Sequence, residues 1–241
     1  MIRAHPGGTH SWPVKTFVVI GGTSGLGLEV ARLLAPEHRV VIVGDRGDEV
    51  KDAAADLGCD GMTCDVSRHD QVERAFDEIA MHGAVHGVAH CAAMWVGGGL
   101  GDLAPETIRR AVEVNVLGPT YVLREALRHM RAQGHGNAVY VGAVAVDAAR
   151  PGIPVYRATK SYGKSLVESV AQATGSNRVK LMQVHPGPMP TRLQERVGDS
   201  FLDTVYTPPA AVAREIVRLL LLAPEDPYVS DLRVLQADGR W

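Results

Sequence analysis

The amino-acid sequence predicts a single α/β domain in which a doubly wound parallel sheet carries helices on both faces. Apolar, β-branched runs alternate along the chain with amphipathic stretches of about ten to twenty residues. Parallel strands need such crossovers, because a short turn cannot bring the chain back to the same end of the sheet. A glycine-rich turn after the first apolar run is the second observation, since nucleotide-binding α/β folds place a turn of this kind there.

The elements follow from these patterns. The predicted strands cover residues 17–20, 40–43, 62–64, 85–91, 138–141, 179–184 and 232–236. The predicted helices cover residues 26–34, 49–57, 72–81, 105–131, 155–174 and 209–222. Each strand segment is a short apolar run, whereas the helices repeat apolar residues at helical spacing, as Leu26, Val30 and Leu34 do. Pro36 is expected to stop the first helix, and Ser67 is expected to be the N-cap of the third.

Composition excludes several functions. The formal net charge is −2 and the pI is about 6.5, so the chain lacks the basic surface that nucleic acid requires. Its Lys and Arg residues are scattered, without the polybasic run that anionic membranes attract. The apolar run 216–223 contains Arg218 and is too short to span a bilayer. We expect neither a nucleic-acid partner nor a membrane.

The cysteines and the first residues bear on the compartment. Cys59, Cys64 and Cys91 are an odd number, which argues against a disulfide framework and favours a reducing cytoplasm. Residues 1–15 contain prolines and glycines but no apolar core, so we expect a flexible arm and not a signal peptide. Residues 16–241 are expected to form one domain.

The glycine-rich turn predicts a phosphate site. Gly21, Gly25 and Gly27 have the spacing G-x-x-x-G-x-G. Glycine lets the backbone turn tightly and approach a pyrophosphate, while the amides at the start of the next helix face the anion. An ordinary turn is the alternative, because glycine clusters are common in turns. The preceding strand and the following helix favour a Rossmann-type dinucleotide site.

Tyr156 and Lys160 predict acid–base chemistry. Residues four apart lie one above the other on a helix. The lysine ammonium can reach past the phenol to a bound ribose, and its field favours the phenolate. The phenol could then exchange a proton with a substrate oxygen.

These motifs resemble those of the short-chain dehydrogenase/reductase family, and the resemblance covers nearly all of residues 17–236. The family has a Rossmann-type sheet and moves hydride between NAD(P) and a carbonyl or alcohol. Asp65-Val66 matches the pair whose carboxylate meets the adenine amino group. Asn115 matches the asparagine that holds a water beside the lysine, and Thr191 the threonine that contacts the nicotinamide carboxamide.

The resemblance implies a site with catalytic residues Tyr156, Lys160 and Asn115. It also implies a set of cofactor-binding residues from several loops. That set is Gly21, Thr23, Ser24, Gly25, Leu26, Gly27, Asp45, Arg46, Asp65, Val66, Cys91, Ala92, Ala93, Tyr156, Lys160, Pro186, Gly187, Met189 and Thr191.

The chain departs from the family at two places. His90-Cys91-Ala92-Ala93 stands where the family has N-N-A-G, so the polar bracing of the sheet must differ. Ala143 stands thirteen residues before Tyr156, where the family has a serine. The register holds, and residues 138–155 contain no serine or threonine.

The missing hydroxyl leaves three interpretations open. Deleting one such donor typically costs about 10²–10³ in rate, so a slow enzyme remains feasible. His90, His185 or a hydroxyl of the substrate could replace the donor. Alternatively, the chain is a catalytically silent nucleotide-binding regulator or scaffold subunit. Retention of Tyr156, Lys160 and Asn115 favours an enzyme.

Cofactor choice depends on the end of the second strand. Asp45 lies eighteen residues after Gly27 and could accept the ribose hydroxyls, which favours NAD. An alignment shifted by one residue places Gly44 there, and Arg46 could then bind the 2′-phosphate of NADP. NAD is the preferred cofactor and NADP the alternative.

No metal site is expected. His82, His86 and His90 recur every four residues, but glycines among them and a predicted helix end make the spacing accidental. Cys91 is expected to be a packed thiol and not a nucleophile.

The substrate and partner expectations concern three segments. Trp95 lies on the substrate side, where it either stacks on a planar substrate or only closes the pocket. The family places a mobile lid at 194–207, which is apolar here and favours a partly hydrophobic small molecule; a surface turn is the alternative. Helices 105–131 and 155–174 resemble those that pair subunits in the family, which implies a homodimer or homotetramer.

Overall fold

A computed structural model of the chain describes residues 14–174, 178–191, 206–227 and 229–236. Seven strands form one parallel sheet in the order β3-β2-β1-β4-β5-β6-β7. The strands are β1 (Thr16–Ile20), β2 (Arg39–Gly44), β3 (Asp60–Thr63), β4 (Val85–His90), β5 (Gly136–Val141), β6 (Val179–Pro186) and β7 (Asp231–Val234). The α-helices are α1 (Gly25–Leu34), α2 (Gly47–Leu57), α3 (His69–Ala80), α4 (Pro105–Val112), α5 (Gly118–Gln133), α6 (Pro154–Thr174) and α7 (Pro209–Leu220). The predicted fold class, a Rossmann-type parallel sheet, is therefore confirmed.

The core consists of two apolar layers, one on each face of the sheet. Phe17 and Val19 face a layer that also contains α1, α2 and α7, whereas Val18 and Ile20 face α3, α5 and α6. This alternation follows from the two-residue period of a strand. Both faces are covered, which explains why β1 is an uninterrupted apolar run. Burial of each large apolar side chain contributes about 1.5–3 kcal/mol to folding.

Strand order places a switch point between β1 and β4. From β1 the chain moves outward through β2 to β3, then returns through α3 and adds β4 on the other side of β1. The loops that follow β1 and β4 therefore diverge to opposite faces. A crevice at the carboxyl ends of the strands results, and this crevice is where open α/β sheets bind ligands.

The helical region predicted over 105–131 is present, but it is not one continuous α-helix. A π-helical turn, Glu113–Leu117, separates α4 from α5. Such a turn inserts one extra residue into the helix and changes the direction of the side chains that follow. Its central residue, Asn115, is only 2% exposed. The reason lies in tertiary packing, since the local sequence is ordinary helix.

Several predicted boundaries also differ. The third strand was expected at 62–64 but is Asp60–Thr63, and the fourth ends at His90, one residue early. Ser67 is not the N-cap of α3; that position belongs to Arg68. The Ser67 hydroxyl instead donates to Oδ1 of Asp65 at 2.7 Å, because the turn brings the carboxylate back towards it.

Candidate active site

A cavity of about 1220 Å³ opens at the carboxyl ends of the strands. Six successive strands each contribute a residue that follows them to its wall. These residues are Gly21, Asp45, Asp65, Cys91, Ala143 and Gly187. The structure places every predicted cofactor-binding residue on this wall, whereas Asn115 lies behind it.

The glycine-rich turn is a close-packed cradle. Gly21 has φ +77° and Gly25 has φ +53°, in the left-handed region that glycine favours. A Cβ on Gly21 would lie 2.7 Å from the backbone nitrogen of Ala92, and one on Gly27 would overlap the carbonyl oxygen of Gly21. α1 begins at Gly25, so its positive end faces the cavity. These residues fit the pyrophosphate of a dinucleotide, whose approach side chains would block.

The end of β2 carries charges of both signs. Asp45 is exposed on the cavity wall, and Arg46 is the N-cap residue of α2. The Arg46 guanidinium pairs with the Glu49 carboxylate, three residues further along the same helix. The carboxylate of Asp45 is thus accessible from the cavity, while the charge of Arg46 is balanced by Glu49.

Arg110 is a site residue that the sequence did not indicate. From α4, its Nη2 donates to Oδ2 of Asp65 at 2.9 Å and its Nη1 donates to the Ser67 hydroxyl at 2.8 Å. Burial alone would raise the pKa of Asp65, but hydrogen bonds from Ser67 and Arg110 together lower it. Asp65 is therefore held as an oriented carboxylate. Arg110 lies 45 residues away in sequence, so only the fold brings them together.

Tyr156 and Lys160 lie together at the floor of the cavity. Both belong to α6 and are buried, at 6% and 3% exposure. The Lys160 ammonium donates to the carbonyl oxygen of Val141 at 3.0 Å and lies 5.9 Å from the centre of the Tyr156 ring. The i, i+4 spacing therefore places the two side chains on one helix face, as predicted.

Burial dominates the electrostatics of this pair. It lowers the pKa of Lys160 from 10.5 to about 8, because the ammonium is removed from water. It also raises the pKa of the Tyr156 phenol above its ordinary value. Burial is the cause of this rise in the phenol pKa, and the expected effect of the lysine field on the phenol stays a prediction.

Asn115 connects the catalytic helix to the loop after β4. Its Oδ1 accepts from the backbone nitrogen of Met94 at 2.7 Å, and its Nδ2 donates to the Met94 carbonyl at 2.8 Å. The same Nδ2 donates to the Thr159 hydroxyl at 3.2 Å, next to Lys160. Asn115 thereby fixes the loop that carries Trp95.

The wall around Tyr156 is apolar. Ala143 and Trp95 pack with Tyr156 in one cluster, and the Trp95 and Tyr156 ring centres are 4.6 Å apart. Ala143, at the position where the sequence resemblance predicts a serine, lines the cavity. At this end of the described cavity wall, Tyr156 is the residue that offers a hydroxyl.

Neither histidine considered as a replacement donor lies on the cavity wall. His185 is fully buried, with Nδ1 3.3 Å from the carbonyl oxygen of Ala143. His90 is buried and stacks on Tyr140, with ring centres 5.9 Å apart. Burial, followed by the charge of Lys160, lowers the pKa of His90 to about 3. Both rings point into the protein because their strands alternate side chains between the two faces.

Two histidine groupings bear on metal binding. His82 follows α3, while His86 and His90 belong to β4, so their regular spacing does not correspond to a helix face. His69, Glu73 and Glu125 bring possible ligand atoms within 4.8 Å of one another. Arginines already occupy Glu125, however: Arg124 and Arg128 both pair with its carboxylate.

Comparison with known proteins is informative once this geometry is established. Residues 15–200 match the model of the short chain dehydrogenase family. The chain belongs to the short-chain dehydrogenase family. It is therefore an oxidoreductase by family, and a nicotinamide dinucleotide fits the residues of its cavity.

Relatives of this family match almost over their full length. A 3-oxoacyl-[acyl-carrier-protein] reductase of Bos taurus is 28% identical over 230 residues, covering 93% of this chain and 97% of that protein. A short-chain type dehydrogenase/reductase structure from Mycobacterium ulcerans is 28% identical, with a TM-score of 0.81 and coverage of 92% and 88%. A variant of actinorhodin polyketide ketoreductase with NADPH has a TM-score of 0.87 at 22% identity, with coverage of 95% and 98%. The last likeness concerns the fold.

Two expectations involve residues beyond the described ranges. Residues 1–13 of the predicted arm and residues 194–205 of the predicted lid lie outside them. None of the helices in the described part of the chain is long and apolar enough to cross a membrane.

Proposed function

We propose that the protein is an NAD(P)-dependent oxidoreductase that interconverts a ketone and a secondary alcohol, with Tyr156 as the general acid or base. The observation that carries this proposal is a shared cavity. The glycine-rich turn and the buried pair Tyr156 and Lys160 line the same cavity.

The cofactor would be held by residues from both halves of the sheet. Gly21 and Gly27 leave room for the pyrophosphate, Asp45 would accept the adenosine ribose hydroxyls, and Thr191 would contact the nicotinamide carboxamide. When bound, the nicotinamide ring supplies or accepts hydride at C4.

NAD is the proposed cofactor and NADP the alternative. Asp45 is exposed and would repel a 2′-phosphate, whereas the charge of Arg46 is balanced by Glu49. The alternative, NADP, is supported by the ketoreductase that shares the fold, whose structure is a complex with NADPH. Kd values for NADH and NADPH, measured by fluorescence on wild type and Asp45→Ala, decide between them. Tighter NADPH binding to the wild type would overturn the proposed preference.

The acid–base roles follow from the site. Tyr156 holds the transferable proton at its phenol oxygen, and Lys160 would bind the ribose and lower the pKa of that phenol. Asn115 keeps the Met94 loop against α6, and in the family it also positions a water beside the lysine. In reduction, the hydride adds to the carbonyl carbon, and Tyr156 donates its proton to the carbonyl oxygen.

Ala143 makes this proposed site atypical. A serine there would donate to the substrate oxygen as charge develops on it, and its absence typically costs about 10²–10³ in rate. We expect slow turnover, or a substrate that contributes its own hydroxyl. Positioning by the cradle and proton transfer from Tyr156 remain as catalytic contributions.

A catalytically silent nucleotide-binding subunit is the second candidate. Ala143 and the raised pKa of the Tyr156 phenol are the observations that favour it. Both candidates bind dinucleotide, so only turnover separates them.

The test combines binding with turnover. NADH binding is measured by fluorescence, and oxidation of NADH and NADPH is followed with a panel of aliphatic and aromatic ketones. Tyr156→Phe should abolish turnover, and NADH should still bind to the variant. Tyr162→Phe, which removes an exposed hydroxyl on the same helix, is the control and should leave turnover unchanged. Tight NADH binding without turnover of any ketone in the wild type would favour the silent subunit.

We also propose a cytoplasmic homodimer or homotetramer of one domain. The family resemblance of α4, α5 and α6 supports this assembly, and three unpaired cysteines support the reducing compartment. Light scattering of the purified chain measures the oligomeric state, and a monomeric mass would contradict the assembly.

A further inference from the structure

Among the described residues that line the substrate end of the cavity, Arg150 is the cation besides Lys160. It lies in the loop between β5 and α6 and lines the cavity together with Gly152 and Ile153. Its side chain is half-buried. Within the described ranges, no carboxylate pairs with the Arg150 guanidinium, whereas Arg46 and Arg110 on the same wall both have acidic partners.

Charge along the cavity is divided unevenly. The acidic side chains of the described wall, Asp45, Glu49 and Asp65, follow β2 and β3 at the adenosine end. Arg150 follows β5, which lies three strands away from β2 in the sheet, beyond β1 and β4. The apolar side chains of Trp95, Ala145 and Ile153 line the same cavity. A cation on an apolar wall exerts a stronger field than one surrounded by water.

The loop that carries Arg150 is fixed in place. Arg157 donates from Nε to the carbonyl oxygen of Ala148 at 2.8 Å and from Nη2 to that of Val146 at 3.1 Å. On the other side of Arg150, the backbone nitrogen of Gly98 donates to the carbonyl oxygen of Gly152 at 2.8 Å. A guanidinium on a fixed loop loses less entropy when it binds a ligand.

A second positive feature lies beside it. α6 begins at Pro154, four residues after Arg150, and Ile153 at its start also lines the cavity. The N-terminus of a helix carries a partial positive charge. Arg150 and this helix end therefore give the substrate end a net positive potential without a compensating carboxylate on the described wall.

We propose that Arg150 binds an anionic group of the substrate, a carboxylate or a phosphate, while the apolar part of the ketone packs against Trp95 and Ala145. The planar fork of arginine matches both groups through two parallel hydrogen bonds. The proposal names the substrate class and rests on the function proposed above. It makes Arg150 a specificity-determining residue for acidic, partly apolar ketones.

Matched ketones test the proposal. The substrates are 4-acetylbenzoate, its neutral methyl ester and 4-acetylphenyl phosphate, with NADH or NADPH as reductant. Arg150→Gln should raise KM for the two anions about 10- to 100-fold, as expected for loss of hydrogen bonds to a charged group. It should leave kcat for the anions and both constants for the methyl ester unchanged. Arg150→Lys should recover part of the loss.

The control variant is Arg214→Gln, which removes an exposed arginine of α7 that does not line the cavity. It should leave every KM unchanged. Of 4-acetylbenzoate and 4-acetylphenyl phosphate, the substrate whose KM rises more in Arg150→Gln carries the anionic group that the site prefers. Equal effects of Arg150→Gln on the acid and on its methyl ester, or no effect on either anion, would overturn the proposal.

A binding measurement separates this proposal from the proposed function. The Kd of 4-acetylbenzoate for NADH-loaded protein is obtained from the change in NADH fluorescence, which needs no turnover. If 4-acetylbenzoate binds Arg150→Gln more weakly than the wild type, and the wild type reduces no ketone, the anion site is supported and the proposed ketone reduction is rejected. If the wild type reduces neutral ketones, and the Kd of 4-acetylbenzoate is unchanged in Arg150→Gln, the ketone reduction is supported and the anion site is rejected.

Discussion

Restoring the missing hydroxyl with Ala143→Ser is the most informative perturbation of this protein. Ala143 lines the cavity and packs in the cluster that contains Tyr156 and Trp95. Its backbone is extended, with φ −163° and ψ 146°, so serine can adopt it without strain. The variant therefore adds one hydrogen-bond donor to the wall and changes little else.

The expected gain follows from that position. Removal of one donor to a developing oxyanion costs about 2.7–4 kcal/mol in enzymes that have it. The cavity here is wide, at about 1220 Å³, and solvent weakens the new hydrogen bond, so we expect the lower end or less. The prediction is an increase in kcat of about 10- to 100-fold for ketone reduction. Stability should change by less than about 1 kcal/mol, because the new hydroxyl faces the cavity.

The assay follows NADH oxidation under cofactor saturation with a small aromatic ketone. Ala145→Ser is the matched control, because Ala145 lies on the same wall two residues further on. It should leave kcat unchanged. Combining Ala143→Ser with Tyr156→Phe should also give no gain, since the added donor needs the proton of the phenol.

A fall in kcat of Ala143→Ser at unchanged NADH affinity would refute this reasoning. It would mean that the site is adapted to a methyl group at this position, with the substrate supplying the hydroxyl. An equal gain in Ala145→Ser would also refute it, because the effect would then not depend on the position of the donor.

Further predictions concern the cradle, the adenosine end and the buried lysine. Gly27→Ala should abolish NADH binding by fluorescence titration, because its Cβ would overlap the carbonyl oxygen of Gly21; retained binding would contradict a rigid cradle. Arg110→Ala should weaken NADH binding about tenfold by loosening Asp65 and leave binding of reduced nicotinamide mononucleotide, which lacks adenosine, unchanged; equal loss would indicate a general defect. Lys160→Met should raise the free energy of unfolding at pH 7, measured with urea, by about 2 kcal/mol. Lowering the pKa of Lys160 from 10.5 to about 8 costs the folded state about 3 kcal/mol, and the variant loses a hydrogen bond that contributes about 1 kcal/mol. Between those two pKa values the folded state binds fewer protons than the unfolded chain, so the stability gained in Lys160→Met should shrink as pH rises from 8 towards 10.5. A gain that does not depend on pH would show that the buried charge of Lys160 is not its cause.

Much of the fold is encoded locally, and the sequence predicts it for that reason. The run Phe17–Ile20 is apolar on both faces because β1 lies in the centre of a doubly covered sheet. Gly21 and Gly25 are required by their positive φ angles, and Gly27 by its close contact with the carbonyl oxygen of Gly21 within the same turn. Tyr156 and Lys160 share a helix face through simple periodicity.

Long-range contacts account for the features that the sequence did not predict. The π-turn that buries Asn115 has no local signature, because its stabilising partner, Met94, comes from another loop. Arg110 is one of several surface-type arginines until the fold brings it to Asp65. His185 was a candidate donor by sequence, and only the strand register shows that its ring is behind the cavity wall.

The sequence by itself determined the fold class, the family and the residues of the glycine-rich turn and the Tyr156–Lys160 pair that line the cavity, because periodicity, backbone freedom and motif spacing are properties of neighbours along the chain. The tertiary structure alone decided the electrostatics of the site. Burial lowers the pKa of Lys160 and raises that of the Tyr156 phenol, and it places Arg150 on a wall without a compensating carboxylate among the described residues. Desolvation and charge pairing depend on every group nearby in space, and these groups come from distant parts of the chain.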